Sequence, residues 1–240
     1  MLLKTRGIFL QKVNYSETSL IIRVYTEEAG LQSYLLKGAR GKKSKIKANT
    51  LQHLSLLDME VYHRANANLQ KVKELRISRP FETLPYDIRK STVLLFLNEL
   101  LLKVLKEEEA SPGLFGFIFD AVCVLDSAKE HIQSFHLVFM LELSKYLGFS
   151  PQEKSGPPAF FDMIEGVFTP QQPEHAHFVS RELSDLLAQC KNYSIHNYSE
   201  FKIDRRARNE LLDKLIEFYR LHIPGMGEIK SLDVIRTILA

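Results

Sequence analysis

Residues 20–37 read LIIRVYTEEAGLQSYLLK, and this stretch predicts how the first part of the chain folds. In its first half, Ile22 and Val24 fall on one face of a strand and Arg23 falls on the other. The connection TEEAG ends in glycine, which is typical of a turn between two strands. Leu31–Lys37 alternates again, so the sequence predicts a β-hairpin whose two arms each have one apolar face.

Three further segments extend this hairpin into a sheet. Leu3–Val13 precedes it, with Gly7 as a point of bulging or close approach. Leu51–Tyr62 is apolar-rich and ends on a clear alternation, and Leu69–Ile77 alternates in the same way. Five strands joined by short turns are typical of a small closed or partly closed barrel. No helical pattern separates the early strands, which argues against a βαβ unit.

The third predicted strand leads into a basic loop, KGARGKKSKIK at residues 37–47. The loop has no acidic residue, and its cations are Lys37, Arg40, Lys42, Lys43, Lys45 and Lys47. Each of these side chains can pair with one phosphate and release a condensed counterion, so the loop suits a phosphate backbone. A loop that is charged only for solubility is the alternative interpretation.

Further cations lie on the predicted strands, together with tyrosines. The cations are Lys4, Arg6, Lys12 and Arg23, and the tyrosines are Tyr15, Tyr25 and Tyr34. Basic and aromatic side chains on a small barrel are the combination that binds single strands by phosphate pairing and base stacking. We therefore add Arg6 and Arg23 to the loop as predicted DNA-binding residues, although a single tyrosine on a strand is more often half-buried than a stacking platform.

After Pro80 the apolar residues follow helical spacing. The predicted helices are Asp87–Glu109, Ser111–Leu125, His131–Leu147, Ser180–Cys190, Asp204–His222 and Ser231–Leu239. Ser111 and Asp204 are suited to cap their helices. The sequence thus predicts an α+β protein with a barrel domain at residues 1–80 and a mainly helical domain at residues 81–240.

The segment at residues 151–178 is predicted to be irregular, because it is rich in Pro, Gly and Gln. A short hairpin over Phe160–Phe168, turning at Glu165 and Gly166, is its one regular feature. His175 and His177 are two residues apart and could share a metal ion on one face of a strand. No strong third ligand is near them in sequence, so no metal is expected.

A second basic cluster opens the helix predicted at Asp204–His222. It consists of Lys202, Arg205, Arg206 and Arg208. Cations at a helix N-terminus oppose the helix dipole, a mildly unfavourable placement that hints at an acidic partner. Arg205, Arg206 and Arg208 are the predicted partner-binding residues.

Composition and motifs exclude several classes of protein. The formal net charge is only +3 over 240 residues, so a nucleic-acid footprint needs uneven charge placement. The start, MLLKTRGIFLQ, lacks the apolar core of a signal peptide, and no apolar run is long enough to span a bilayer. The two cysteines cannot form a disulfide framework. We therefore expect a cytoplasmic protein. No phosphate-binding glycine loop, nucleophile motif or metal-ligand motif is present, and we expect neither catalysis nor a cofactor.

Taken in order, these residues resemble the bacterial RecO family of recombination mediators. The motifs that carry the resemblance are Gly7–Leu10, Tyr15–Leu20, Tyr25–Gly30, Lys37–Ser44, Leu51–Leu57, Asn98–Leu101, Leu114 with Phe115, Leu147–Pro151 and Lys230–Leu232. They extend over the length of the chain, and their order and spacing are more specific than any one of them.

The resemblance implies an N-terminal OB-fold, a helical C-terminal domain and binding of single- and double-stranded DNA without catalysis. It also implies strand annealing and the loading of RecA, together with RecR, onto DNA coated by single-strand-binding protein, whose C-terminal tail the helical domain would capture. Many members carry four zinc-ribbon cysteines after the segment that corresponds to Leu147–Pro151, and this chain has none there. We therefore expect no zinc, and packing alone to fold residues 151–178.

Three other interpretations stay open on the sequence alone. An RNA-binding OB module would prefer RNA to single-stranded DNA. A nuclease would need clustered carboxylates and a divalent metal ion. A protein-interaction adaptor would use the basic loop for solubility alone.

Overall fold

The first five strands close into a barrel. The computed structural model describes residues 1–38, 50–64, 67–106, 109–153 and 159–239. The barrel strands are β1 (Leu2–Asn14), β2 (Leu20–Thr26), β3 (Gly30–Leu36), β4 (Leu56–Tyr62) and β5 (Gln70–Arg79). Their order around the barrel is β1-β2-β3-β5-β4, and only the β3–β5 pair is parallel. The predicted five-stranded barrel is confirmed.

Strand β1 closes the barrel because it pairs along both of its edges. Its first half, from Leu2 to Ile8, is antiparallel to β4, and its second half, from Gly7 to Asn14, is antiparallel to β2. The two pairings overlap at Gly7, where an added Cβ atom would lie 2.6 Å from Val24 Cγ1. No side chain fits at this approach, so glycine is required there.

Apolar side chains on the inner faces of the strands fill the barrel. This core consists of Phe9, Leu20, Ile22, Val24, Tyr34, Leu51, Leu57, Met59, Val61 and Leu75. The alternation seen in the sequence therefore separates the core from the outer surface along much of the barrel, whereas the four residues Gly7–Leu10 of β1 are all buried.

The rest of the chain is mainly helical, as predicted. The helices are α1 (Ile88–Val104), α2 (Pro112–Ser127), α3 (Phe135–Tyr146), α4 (Arg181–Cys190), α5 (Arg205–His222) and α6 (Leu232–Ile238). Helix α1 ends at Val104, before the end predicted at Glu109. Glutamates are unfavourable at a helix C-terminus, because they oppose the helix dipole. No helix in the described ranges is long and apolar enough to cross a membrane.

The chain divides into two compact units. The barrel unit comprises residues 1–87 and 94–126, and therefore includes α2 and most of α1. The helical unit comprises residues 88–93 and 127–240. The division after residue 80 stays a prediction, because contacts within the fold also place residues 94–126 with the barrel.

The predicted irregular segment at residues 151–178 contains short strands joined by turns and irregular backbone. This segment forms most of a four-stranded sheet of order β6-β8-β7-β9, whose strands are β6 (Gln152–Glu153), β7 (Phe160–Asp162), β8 (Val167–Thr169) and β9 (Phe178–Val179). Strands of two or three residues are too short for alternation to be visible in sequence. The predicted hairpin is present as the antiparallel pair β7–β8, and Phe161 packs 5.2 Å from the ring of Phe218.

Within the barrel unit, the carboxylate of Asp126 on α2 holds the segment that follows β5. It accepts hydrogen bonds from the backbone N–H groups of Glu82, Thr83 and Leu84, each at 2.9 Å. Burial opposes ionisation of Asp126, but these hydrogen bonds outweigh it and lower its pKa below the ordinary value.

We expect Asp126→Asn to lower the free energy of unfolding by about 2–3 kcal/mol, because one carboxylate oxygen is replaced by an NH2 group, which cannot accept a hydrogen bond from a backbone N–H group. The folded-state pKa of Asp126 is below its unfolded value, so its contribution is full at neutral pH and is lost as the pH falls from the ordinary aspartate pKa through the lower folded-state pKa. Urea unfolding at neutral pH and in that acidic range measures both effects. Asp120→Asn, an exposed carboxyl on the same helix, is the control; an equal loss in both variants would contradict the prediction.

Candidate nucleic-acid interface

The basic loop begins directly after β3. Lys37 is exposed, and Gly38 has a positive φ of 69°, which turns the chain away from the strand. The other predicted loop cations, Arg40, Lys42, Lys43, Lys45 and Lys47, lie outside the described residues. The structure therefore places the start of the loop at the end of β3.

Charges on the outer surface of β1, β4 and β5 are paired. We call this surface the paired face, and its side chains are Lys4, Arg6, Asp58, Glu60, Lys73 and Arg76. Glu60 bridges Lys4 and Lys73 at 3.4 and 2.8 Å, and Arg76 lies 3.0 Å from Asp58. Opposite charges that neutralise one another leave little attraction for a phosphate.

Arg6 is held in the barrel unit by two kinds of contact. Its guanidinium group donates two hydrogen bonds to the Glu27 carboxylate, at 2.8 and 2.6 Å. The same group lies 5.3 and 5.0 Å from the ring centroids of Phe115 and Phe119 on α2. The hydrogen bonds raise the pKa of Arg6 and lower that of Glu27, so both groups stay charged and paired.

The outer surface of β2, β3 and the end of β1 has a different character. We call this surface the open face, and its side chains are Gln11, Val13, Ile21, Arg23, Ser33 and Leu35. Arg23 lies between Gln11 and Ser33 in the strand register, and it forms no ion pair with any residue that the structure describes. Neither β2 nor β3 contains an acidic residue, and Glu27, in the turn between them, is paired with Arg6.

Two of the three tyrosines on or beside the strands are buried and are not available for base stacking. Tyr25 is 3% exposed and Tyr34 is fully buried, so both belong to the interior. Burial raises the pKa of Tyr34 to about 12. Tyr15, in the β1–β2 turn, is 61% exposed and stays available beside the open face.

Lys71 is a surface cation that local sequence patterns do not single out. It is exposed on β5, and the parallel β3–β5 pair places it beside Leu35. These two positions are 36 residues apart in the chain. Local alternation reveals which residues face outward but not which strands become neighbours, so only the barrel closure brings Lys71 to the open face.

The three predicted partner-binding arginines do not share one surface. Arg205 and Arg206 are exposed at the start of α5, and Arg206 pairs with Glu210 at 2.8 Å. Arg208 is 5% exposed and donates a hydrogen bond to the Leu239 carbonyl, so it connects α5 to the end of α6. Burial lowers its pKa, with a further contribution from the charge of Arg205.

A cavity of about 490 Å³ lies beside this buried arginine in the helical unit. Its lining combines the apolar side chains of Phe201, Ile203 and Leu239 with the cationic side chains of Lys202 and Arg208, together with His131, Gln133, Ser134, Ser199 and Asp204. Asp204 caps α5 as predicted, because its side chain accepts hydrogen bonds from the N–H groups of Arg206 and Ala207. The cavity is suited to a ligand that is partly apolar and partly anionic.

Each of the two histidines in the small sheet has its own carboxylate partner. His175 Nε2 lies 3.2 Å from Asp162 Oδ2, and His177 Nδ1 lies 2.8 Å from Glu217 Oε1. The ring centroids are 6.3 Å apart. Among the described residues, no three His, Cys, Asp or Glu side chains are placed to hold a metal ion together.

Two family models match the chain, one on each side of residue 84. Residues 1–81 match the model described as Recombination protein O N terminal. Residues 85–233 match the model described as Recombination protein O C terminal. Together they span nearly the whole chain.

Curated relatives agree with the family models. Proteins named DNA repair protein RecO from Phocaeicola vulgatus and Flavobacterium psychrophilum are 35% and 34% identical to this chain, with 100% of each chain covered. The protein of the same name from Bacteroides fragilis is 35% identical over 99% of both chains.

We expect Arg6→Ala to lower the free energy of unfolding by about 1–2 kcal/mol, because it removes a bidentate ion pair and a cation–aromatic contact together. Urea unfolding measures the loss. Arg76→Ala, which removes an exposed ion pair of the paired face, should cost less than about 1 kcal/mol. Equal effects in the two variants would show that the aromatic contact of Arg6 contributes nothing.

Proposed function

The chain belongs to the RecO family of DNA repair proteins, and we propose that it binds DNA through its barrel and mediates recombinational repair without catalysis. The observation that carries the proposal is the uneven charge of the barrel. Cations of the paired face are neutralised by carboxylates, while Arg23 is unpaired within the described ranges and the basic loop that follows β3 contains no acidic residue. A molecule with little net charge can still attract a polyanion when its cations are gathered on one side.

The proposed DNA contacts are made by the basic loop and the open face. The residues are Lys37, Arg40, Lys42, Lys43, Lys45 and Lys47 of the loop, together with Arg23. Arg6, predicted with them, is a weaker candidate because its charge is already paired. Phosphate contacts do not read sequence, so binding would serve any single or double strand.

Annealing follows from the same electrostatics. Two complementary strands repel each other through their phosphates, and a protein that neutralises part of both charges lowers this repulsion. Holding both strands on one protein also raises the concentration of each strand near the other. The protein would thus bring complementary strands together in the cytoplasm, where it would associate with the nucleoid.

The helical unit would supply the partner contacts. We propose that the cavity beside Arg208 accepts the acidic and apolar C-terminal tail of single-strand-binding protein. Phe201 and Ile203 would contact the apolar part of the tail, and Lys202 would pair with a carboxylate. With RecR as a further partner, the protein would then help RecA to replace single-strand-binding protein on DNA.

We expect Lys42→Ala/Lys43→Ala/Lys45→Ala to weaken DNA binding and its salt dependence. Neutralising about six phosphates of a single strand gives a slope of about −4 in log K against log salt, and losing three contacts brings it to about −2. Fluorescence anisotropy of a labelled strand across a salt series measures both quantities.

Lys4→Ala/Lys73→Ala/Arg76→Ala is the matched control, since it removes the same number of cations from the paired face. The control should leave the slope near −4. If both triple variants reduce it equally, only net charge matters, and the placement of DNA on the loop and the open face is wrong.

The tail contact has its own test. Lys202→Ala/Arg205→Ala should weaken binding of a labelled peptide that has an acidic, apolar C-terminus about tenfold, because two cations near one carboxylate cluster are removed. Lys145→Ala/Arg220→Ala removes two exposed cations of the helical unit that do not line the cavity. An unchanged affinity in the first variant, or an equal loss in both, would remove this site from the proposal.

A further inference from the structure

Arg208 is a buried cation whose hydrogen bond goes to a neutral acceptor. It is 5% exposed, and its guanidinium group donates to the backbone carbonyl of Leu239. None of the described carboxylates forms an ion pair with it. Asp204, one turn earlier on α5, accepts hydrogen bonds from the N–H groups of Arg206 and Ala207 and attracts Arg208 only through space. A buried guanidinium group without a carboxylate partner is costly, so it favours an anion that can reach it.

The positive charge of Arg208 acts on the residues around it. Burial and this charge lower the pKa of His136, on α3, to about 3, so the imidazole stays neutral. Burial and the charge of Arg205 also lower the pKa of Arg208 itself, but a guanidinium group remains protonated at neutral pH. The cavity beside Arg208 therefore contains a positive charge that an incoming carboxylate could neutralise.

Leu239, which follows α6, supplies the two features that the proposed tail would bring to the cavity. Its carbonyl oxygen accepts the hydrogen bond of Arg208, and its apolar side chain lines the cavity while the residue is 2% exposed. An acidic, apolar tail offers the same combination of an oxygen acceptor and an apolar side chain. A carboxylate binds a guanidinium group more strongly than a carbonyl does, because it is charged and can accept two parallel hydrogen bonds.

Helix α6 is held in place by a small number of side chains. It has seven residues, and a helix of this length is not stable by itself in water, so α6 depends on its docking. Ile235 is the buried residue of α6, and the buried Leu239 follows it by one turn. Arg236 pairs with Asp213 of α5 and with Asp233, but these side chains are partly or largely exposed, and such ion pairs contribute little. An element attached in this way can open without global unfolding.

We propose that α6 and Leu239 form an autoinhibitory contact, which occupies Arg208 until an acidic, apolar tail displaces it. This inference rests on the proposed function and adds how the tail site is regulated. In the closed chain, Leu239 holds Arg208 and fills part of the cavity. In the open chain, a carboxylate of the tail binds Arg208, and an apolar side chain of the tail replaces Leu239. The apparent affinity for the tail is then the intrinsic affinity multiplied by the fraction of chains that are open.

The variant Ile235→Ala tests this contact in the full chain, because it loosens the docking of α6 and leaves the lining of the cavity unchanged. We expect it to bind a labelled peptide that has an acidic, apolar C-terminus about fivefold more tightly, since more chains are open. Arg236→Ala should tighten binding about twofold, although it removes a cation, so its effect cannot come from the change in charge. Val234→Ala shortens an exposed side chain of the same helix and is the control, with unchanged affinity. Fluorescence anisotropy measures the affinities of the folded variants.

Hydrogen exchange in the unmodified chain is a second measurement. The backbone N–H groups of Ile235 and Leu239 donate to the carbonyls of Ser231 and Ile235, each at 3.0 Å, and are protected while α6 is folded. We expect a saturating amount of the peptide to speed exchange of these two amides about tenfold, because it undocks α6. Slower or unchanged exchange with the peptide bound, or equal affinities of the three folded variants, would overturn the inference.

The variant Lys202→Ala/Arg205→Ala separates this inference from the proposed function. If it weakens binding of the peptide while Ile235→Ala and Arg236→Ala change nothing, the tail site stands and the autoinhibitory contact fails. If the peptide binds neither the unmodified chain nor Ile235→Ala, the proposed tail site fails, and the inference fails with it.

Discussion

The closure of the barrel at Gly7 is the constraint on which the outer surfaces depend. Gly7 is opposite Thr26 on β2 and opposite Leu57 on β4, so it belongs to both pairings of β1, as does the next residue, Ile8. Val24 and Met59 approach so closely there that a Cβ atom would overlap both. Because side chains alternate, this fixed register decides which residues of β2 and β4 face outward. It sends Arg23 to the open face and Asp58 and Glu60 to the paired face.

The two faces show why the position of a charge matters more than its number. Lys4, Arg6 and Arg23 are all cations on strands of one barrel, yet two of them face carboxylates at 2.6 to 3.4 Å. An arriving phosphate would have to compete with these carboxylates, whereas none of the described carboxylates pairs with Arg23. Arg208 in the helical unit is a cation whose position makes it a structural residue. Its guanidinium group is buried and donates a hydrogen bond to the Leu239 carbonyl at the end of α6.

The sequence predicted those features that depend on neighbours along the chain. The β2–β3 hairpin, the cap at Asp204 and the β7–β8 turn were all visible in local patterns, and the structure contains them. Features that depend on distant partners were not visible. Burial of Tyr34 in the barrel, packing of Tyr25 against Phe115, pairing of Arg6 with Glu27 and the approach of Lys71 to Leu35 all depend on residues that are distant in the chain.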